Sequence, residues 1–282
     1  MKISSIEEFI GLVTEFEDCW FRGVASTQYT LKPRIHWDEI TTEVEETLAY
    51  RFLKEHLKYH KTSNTNPWYL YAVMQHHGLP TRLLDWTASP LVALFFALTQ
   101  KPNLENDHRV WILQPFKLNE QFIGIDRVYC PSQMGNETRH IETEQYFDSG
   151  EGELKNYPKE ISLSRPKLIL DSYLPANLAV RSRHIMPSHP MAIETIPLDS
   201  RMSAQQSVFT VHGDCSKSLD EQVSTGVIDF IDIDFKAREK ILQQLHRLGV
   251  VEDTCSGQLN LATALESSQN RRSDSFGLNP AL

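Results

Sequence analysis

Residues 71–97 constrain this chain more than any other stretch. Their centre gathers Gln75, His76, His77, Thr81, Arg82, Asp85, Trp86, Thr87 and Ser89. The surroundings are apolar, with Tyr69, Tyr71 and Met74 before and Leu91, Ala93, Phe95 and Phe96 after. Gly78 and Pro80 forbid one continuous helix, so the reading is helix, turn, short strand, second helix. Leu83 and Leu84 fall in the strand, Ser89 caps the second helix and Pro90 takes its first position. A helix start beside a strand end turns free N–H groups outward, which suits an anion. Any one of these polar residues is more often structural than functional, since ion-pair networks are common away from sites. The cluster points the other way, because burying so many polar groups is unfavourable unless they are matched or used.

The rest of the chain reads as a mixed α/β (α+β) protein, a central and mostly antiparallel sheet with flanking helices. Ser5 begins a helix carrying Ile6, Phe9, Ile10 and Val13 at helical spacing. Residues 19–24 form a strand that carries Arg22. Residues 39–60 form an amphipathic helix with Val44, Leu48, Phe52 and Leu57 on one face, and Glu43, Glu45, Glu46, Lys54 and Glu55 on the others. Strands are expected over 108–113, 191–198, 208–213 and 227–235, and a helix over 236–248 closed by Gly249. The expected organisation is a single domain over 1–266 with a polar insertion at about 114–160. That insertion reads equally as a surface excursion or a lid, and 267–282 reads as a polar tail.

Composition narrows the function classes. A net charge of −9 argues against general nucleic-acid or anionic-membrane binding, and Arg181-Ser182-Arg183-His184 reads as a solvated face. The cysteines at 19, 130, 215 and 255 form no close pair, so no zinc site is expected from them. His56 and His60 stand at a metal-binding spacing but lack the acidic base of the zinc proteases. Asp229, Asp232 and Asp234 read as the wet face of a strand. No metal is expected. The opening residues carry two glutamates and no long apolar run, and no stretch reaches the roughly 18 apolar residues of a membrane span, so the expectation is a cytoplasmic protein.

Two arginines carry the chemistry. Arg22 lies mid-strand, where a long cation is not selected for strand propensity, and Gly23 beside it permits close approach of a ligand or another backbone. An arginine fork suits phosphate or carboxylate, so Arg22 is read as a clamp on a phosphate-bearing ligand. For Arg82, pairing with Asp85 or another buried carboxylate is favoured. A separate enzymatic reading makes His76 or His77 a general base oriented by Asp85, though no serine-nucleophile elbow accompanies them.

Phe21-Arg22-Gly23, the run from Gln75 to Thr87 and then Ser89-Pro90 resemble the FRG domain family, named for its Phe-Arg-Gly. The segment 201–209 is similar to that family's late Arg, Ala-Gln, Phe pattern. The order of a strand arginine, a Ser/Thr strand entering an apolar helix and a late strand also resembles the layout of ADP-ribosyltransferases. That resemblance implies NAD as co-substrate, with Arg22 holding the dinucleotide, Thr87 or Ser89 shaping the nicotinamide pocket and Gln205 in the late position. Gln205 departs from the scheme: an amide hydrogen-bonds a ribose hydroxyl but cannot offset the positive charge of an oxocarbenium-like centre. Glu194, eleven residues earlier on the preceding strand, is a candidate substitute. The assigned site is Arg22, His76 and Gln205 for chemistry, with Gln75, Arg82, Asp85, Thr87 and Ser89 for binding. Two function classes stay open. One is a nucleotide-engaging, ADP-ribosyltransferase-like effector in bacterial defence or toxicity; the other is a non-catalytic module that senses a nucleotide or a protein partner.

Overall fold

Local chemistry sets the first elements of the computed structural model, which describes residues 2–58, 64–101, 105–134, 140–142, 167–178 and 186–256. After β1 (Lys2–Ile3), the Ser5 side chain accepts from the Glu8 N–H and opens α1 (Ile6–Val13). β2 (Trp20–Val24) leads through α2 (Arg34–Trp37) to α3 (Thr42–Glu55). Asn66 caps α4 (Pro67–His76), and the turn at Gly78, with φ +75°, delivers the chain to β3 (Leu83–Thr87). Ser89 accepts from Val92 and Pro90 opens α5 (Pro90–Thr99), as expected from the sequence. β4 (His108–Leu113), α6 (Pro115–Ile123), β5 (His140–Glu142) and β6 (Lys167–Ile169) follow. The chain then forms β7 (Met191–Ile193), α7 (Ser200–Ala204), β8 (Ser207–Val211) and α8 (Leu219–Gln222). β9 (Ile228–Ile233), α9 (Arg238–Arg247) and α10 (Glu252–Ser256) complete it.

The strands form one seven-stranded sheet in the order β1-β9-β4-β2-β3-β8-β7, and β5 and β6 pair separately. Only β1 and β9 run parallel among the paired neighbours; the rest are antiparallel, so the architecture is the expected α+β one. One apolar cluster holds Phe9, Phe21, Ala93, Ala97, Ile112 and Ile241, packing α1, α5 and α9 on a face of the sheet. Another gathers Trp20, Leu84, Trp86, Trp111 and Val208 with Leu118 of α6. A third packs α3 and α4 on the β3–β8–β7 end through Phe52, Trp68, Tyr71, Leu83, Met191 and Phe209.

Gly23 is the close-approach position. A β-carbon there would overlap the Ala93 carbonyl oxygen and sit 2.6 Å from the Ala97 nitrogen, so it is the α5 backbone that the glycine admits. β2 pairs with β4 from Trp20 to Val24 but with β3 only at Phe21 and Thr87. The sheet parts beyond that pair, and Arg22 and Asp85 face each other across the parting.

Three expectations change. α3 buries Glu45, Ala49 and Phe52 and leaves Val44 at 47% exposure, so the inward face is one residue round from the expected one. The cause is Arg82, which draws the Glu45 carboxylate inward. The strand expected over 191–198 ends at Ile193, because the Glu194 N–H goes to the Tyr129 carbonyl and the Ile196 N–H to the Ser132 hydroxyl. The start of the expected insertion is α6, with Leu118, Asn119 and Ile123 buried. Much of the remaining insertion, His60, residues 181–184 and the tail 267–282 lie outside the described residues. No helix among the described residues is long and apolar enough to cross a membrane.

Candidate functional site

Where β2 and β3 part, a cleft of about 370 Å³ opens. Of the residues assigned from sequence, Arg22, Gln75, His76, Asp85, Thr87 and Gln205 line it. They arrive from β2, α4, β3 and the end of α7, each for a local reason. β3 alternates, so Leu84 and Trp86 go into the core while Asp85 and Thr87 take the other side. Gln75 and His76 end α4, just before the Gly78 turn.

Arg22 Nη1 donates to the Asp85 main-chain oxygen at 2.5 Å, and the same nitrogen lies 3.9 Å from the Asp85 carboxylate. Burial lowers the Arg22 pKa and Asp85 opposes the shift; a guanidinium stays charged regardless. Gln75 Nε2 donates to Asp85 Oδ2 at 2.9 Å, and the Gln75 amide oxygen accepts from Thr81. The Asp85 carboxylate is therefore steered but remains open, its side chain 56% exposed.

His76 Nε2 stands 3.3 Å from Asp199 Oδ2, while the other Asp199 oxygen accepts from the Met202 N–H as the cap of α7. Asp199, not Asp85, is thus the carboxylate that orients His76. Thr87 Oγ1 donates to the Gln205 carbonyl at 2.6 Å and accepts from the Ser89 N–H at 3.0 Å, which ties the start of α5 to the turn before β8. Ser89 serves as a helix cap and does not line the cleft.

Arg82 lies elsewhere. It is 3% exposed, with Nε and Nη2 on Glu45 at 2.9 and 2.6 Å and Nη1 on the Gly213 carbonyl at 2.8 Å. Its own N–H goes to the Tyr71 hydroxyl, which donates to Glu45. The favoured pairing of Arg82 with a buried carboxylate is what the structure contains, with Glu45 as the partner. Glu194 is exposed, follows β7 and is not among the cleft residues.

The cleft also includes Arg201, Met202, Phe96 and Gln100, which were not assigned. The segment carrying Arg201 was legible as a motif, but nothing in it marked Arg201 for the cleft. No group of three or more metal-ligating side chains occurs among the described residues.

The site thus belongs to an α+β protein whose split sheet presents a strand arginine and a tethered carboxylate to one cleft. The FRG domain family matches residues 17–106, so this chain carries an FRG domain. That match spans Arg22, Gln75, His76, Asp85 and Thr87; Asp199, Arg201 and Gln205 are added from outside it. No curated protein and no solved structure matches the chain.

Proposed function

We propose that the cleft engages a nucleotide, with NAD as co-substrate, and that this FRG protein is a cytoplasmic, ADP-ribosyltransferase-like effector in bacterial defence or toxicity. The observation that carries the reading is the meeting of Arg22 and Asp85 across the split between β2 and β3. Arg22 spends one nitrogen on a neutral carbonyl, which leaves donors for a phosphate. Asp85 supplies the cleft carboxylate that Gln205 cannot.

In the reaction the bond from the ribose anomeric carbon to the nicotinamide nitrogen breaks, and its electron pair leaves with nicotinamide. The oxocarbenium-like centre is offset by Asp85, and Gln205 hydrogen-bonds a ribose hydroxyl. A lone pair of the acceptor forms the new bond to the anomeric carbon, and His76, held on Asp199, takes the proton that the acceptor gives up. Purified protein incubated with NAD should release nicotinamide, and Asp85→Asn should abolish release while leaving the protein folded. Release unaffected by Asp85→Asn would refute the assignment.

The second reading, a non-catalytic sensing module, draws support from one feature. The carboxylate expected on the late strand is replaced by Gln205, so the same ligand would be held without turnover. Nucleotide binding with no nicotinamide release would favour it.

A further inference from the structure

Beyond Arg22 and Asp85 lies a second recess of about 400 Å³. Among the described residues four cations line it, Arg22, Lys32, Arg34 and Lys101, against the single carboxylate of Asp85. In a chain of net charge −9 that is a local reversal of sign. Arg34 is committed, with Nε on Asp38 at 3.0 Å and Nη1 on the Gly78 carbonyl at 2.8 Å. Among the described residues, Lys101 has only the neutral Tyr29 hydroxyl, at 2.7 Å, and the Tyr29 ring at 4.6 Å. Lys32 has no ion-pair partner among the described residues. An excess of cations over carboxylates draws an anion to the walls that hold them.

The recess also has an aromatic wall. Trp37 of α2 is 51% exposed and meets Tyr29 edge-on, with ring centroids 6.2 Å apart. An indole left in water beside two lysines that form no ion pair among the described residues offers a flat face on which a base can stack. Arg22, Gln75, Gly78, Asp85 and Gln100 border both this recess and the first cleft. The two spaces therefore adjoin across the Arg22 guanidinium.

We propose that this recess binds a nucleoside diphosphate, with Lys32 and Lys101 on the phosphates and Trp37 against the base. It rests on the preceding reading in one respect, that the same ligand continues past Arg22 into the first cleft. The ligand class is then two-ringed and pyrophosphate-linked, with its linkage at Arg22.

The test is calorimetric titration of the full chain with ADP, adenosine and inorganic pyrophosphate. ADP should bind at least tenfold more tightly than either fragment. The Lys32→Ala/Lys101→Ala double variant should weaken ADP at least tenfold, and Trp37→Ala should weaken ADP but not pyrophosphate, each variant first checked for cooperative unfolding. Absence of ADP binding, or ADP binding indifferent to both variants, overturns the proposal. Pyrophosphate bound as tightly as ADP, with Trp37→Ala silent, overturns it in favour of a simple anion site. NAD titrated into Gln205→Ala separates the two readings, because Gln205 borders the first cleft alone and is its ribose contact. If ADP binds with the expected variant dependence and NAD gains nothing from Gln205, the recess stands and the cleft assignment fails. If NAD binding needs Gln205 while ADP does not bind, the recess fails and the cleft stands.

Discussion

The guanidinium of Arg22 reaches the main-chain oxygen of Asp85 at 2.5 Å and stops 3.9 Å short of its carboxylate. The two residues are near but not fully paired, and Gln75 takes up the carboxylate instead. A closed ion pair would have left neither charge for a ligand. This arrangement separates Arg22 from Arg82, the other arginine of the motif, whose fork is consumed by Glu45.

That separation predicts opposite phenotypes. Arg82→Ala strands the Glu45 carboxylate in the core and should cost about 3–5 kcal/mol of stability. Arg82→Lys should recover little of it, because an ammonium cannot reproduce the fork. Urea denaturation measures both. A loss under 1 kcal/mol in Arg82→Ala would show that the pair is not what orients α3.

Gly23→Ala should destabilise by about 1–3 kcal/mol or more, since the obstacle is the α5 backbone and not a flexible side chain. Gly11 is the control: it lies within α1 with nothing near its missing β-carbon, so Gly11→Ala should stabilise by about 0.5–1 kcal/mol. Thermal unfolding of the two variants should therefore move in opposite directions.

Stability should fall on acidification through two buried histidines. Burial pushes His189 down from 6.5 to about 4, and burial followed by the positive charges of His36, Arg22 and Arg82 pushes His212 down to about 3. Both are neutral in the native state, so below pH 6.5 the unfolded chain binds more protons. Their contribution is fully present above pH 6.5 and is lost as pH falls toward 4 and 3. For His189 it is on the order of 3 kcal/mol. Denaturation at pH 7 and pH 4 should show a smaller acid loss in His189→Phe than in the parent, and equal losses would contradict the assignment.

The parts of the fold that were legible in the sequence rest on local chemistry. Ser89-Pro90 announces α5 because a cap and an N1 proline act within one turn, and the Gly78 turn follows from its positive φ. The parts that were not legible depend on partners far away in sequence. Glu45 read as one more exposed glutamate on α3, and only Arg82, arriving from a different element, makes it a core residue. His76 has Asp85 near it in sequence, yet its carboxylate is Asp199 from α7. Trp37 and Lys101 carried no motif, and only the fold brings them to one recess.

The central claim, that the cleft engages a nucleotide through Arg22, is tested most directly by thermal unfolding with and without NAD, on the parent and on Arg22→Ala. A ligand bound only to the folded state at about 100 times its dissociation constant adds roughly 2.7 kcal/mol. The parent should show that stabilisation, and Arg22→Ala, compared with its own ligand-free midpoint, should lose it. A parent that NAD does not stabilise, or an equal gain in Arg22→Ala, would contradict the claim.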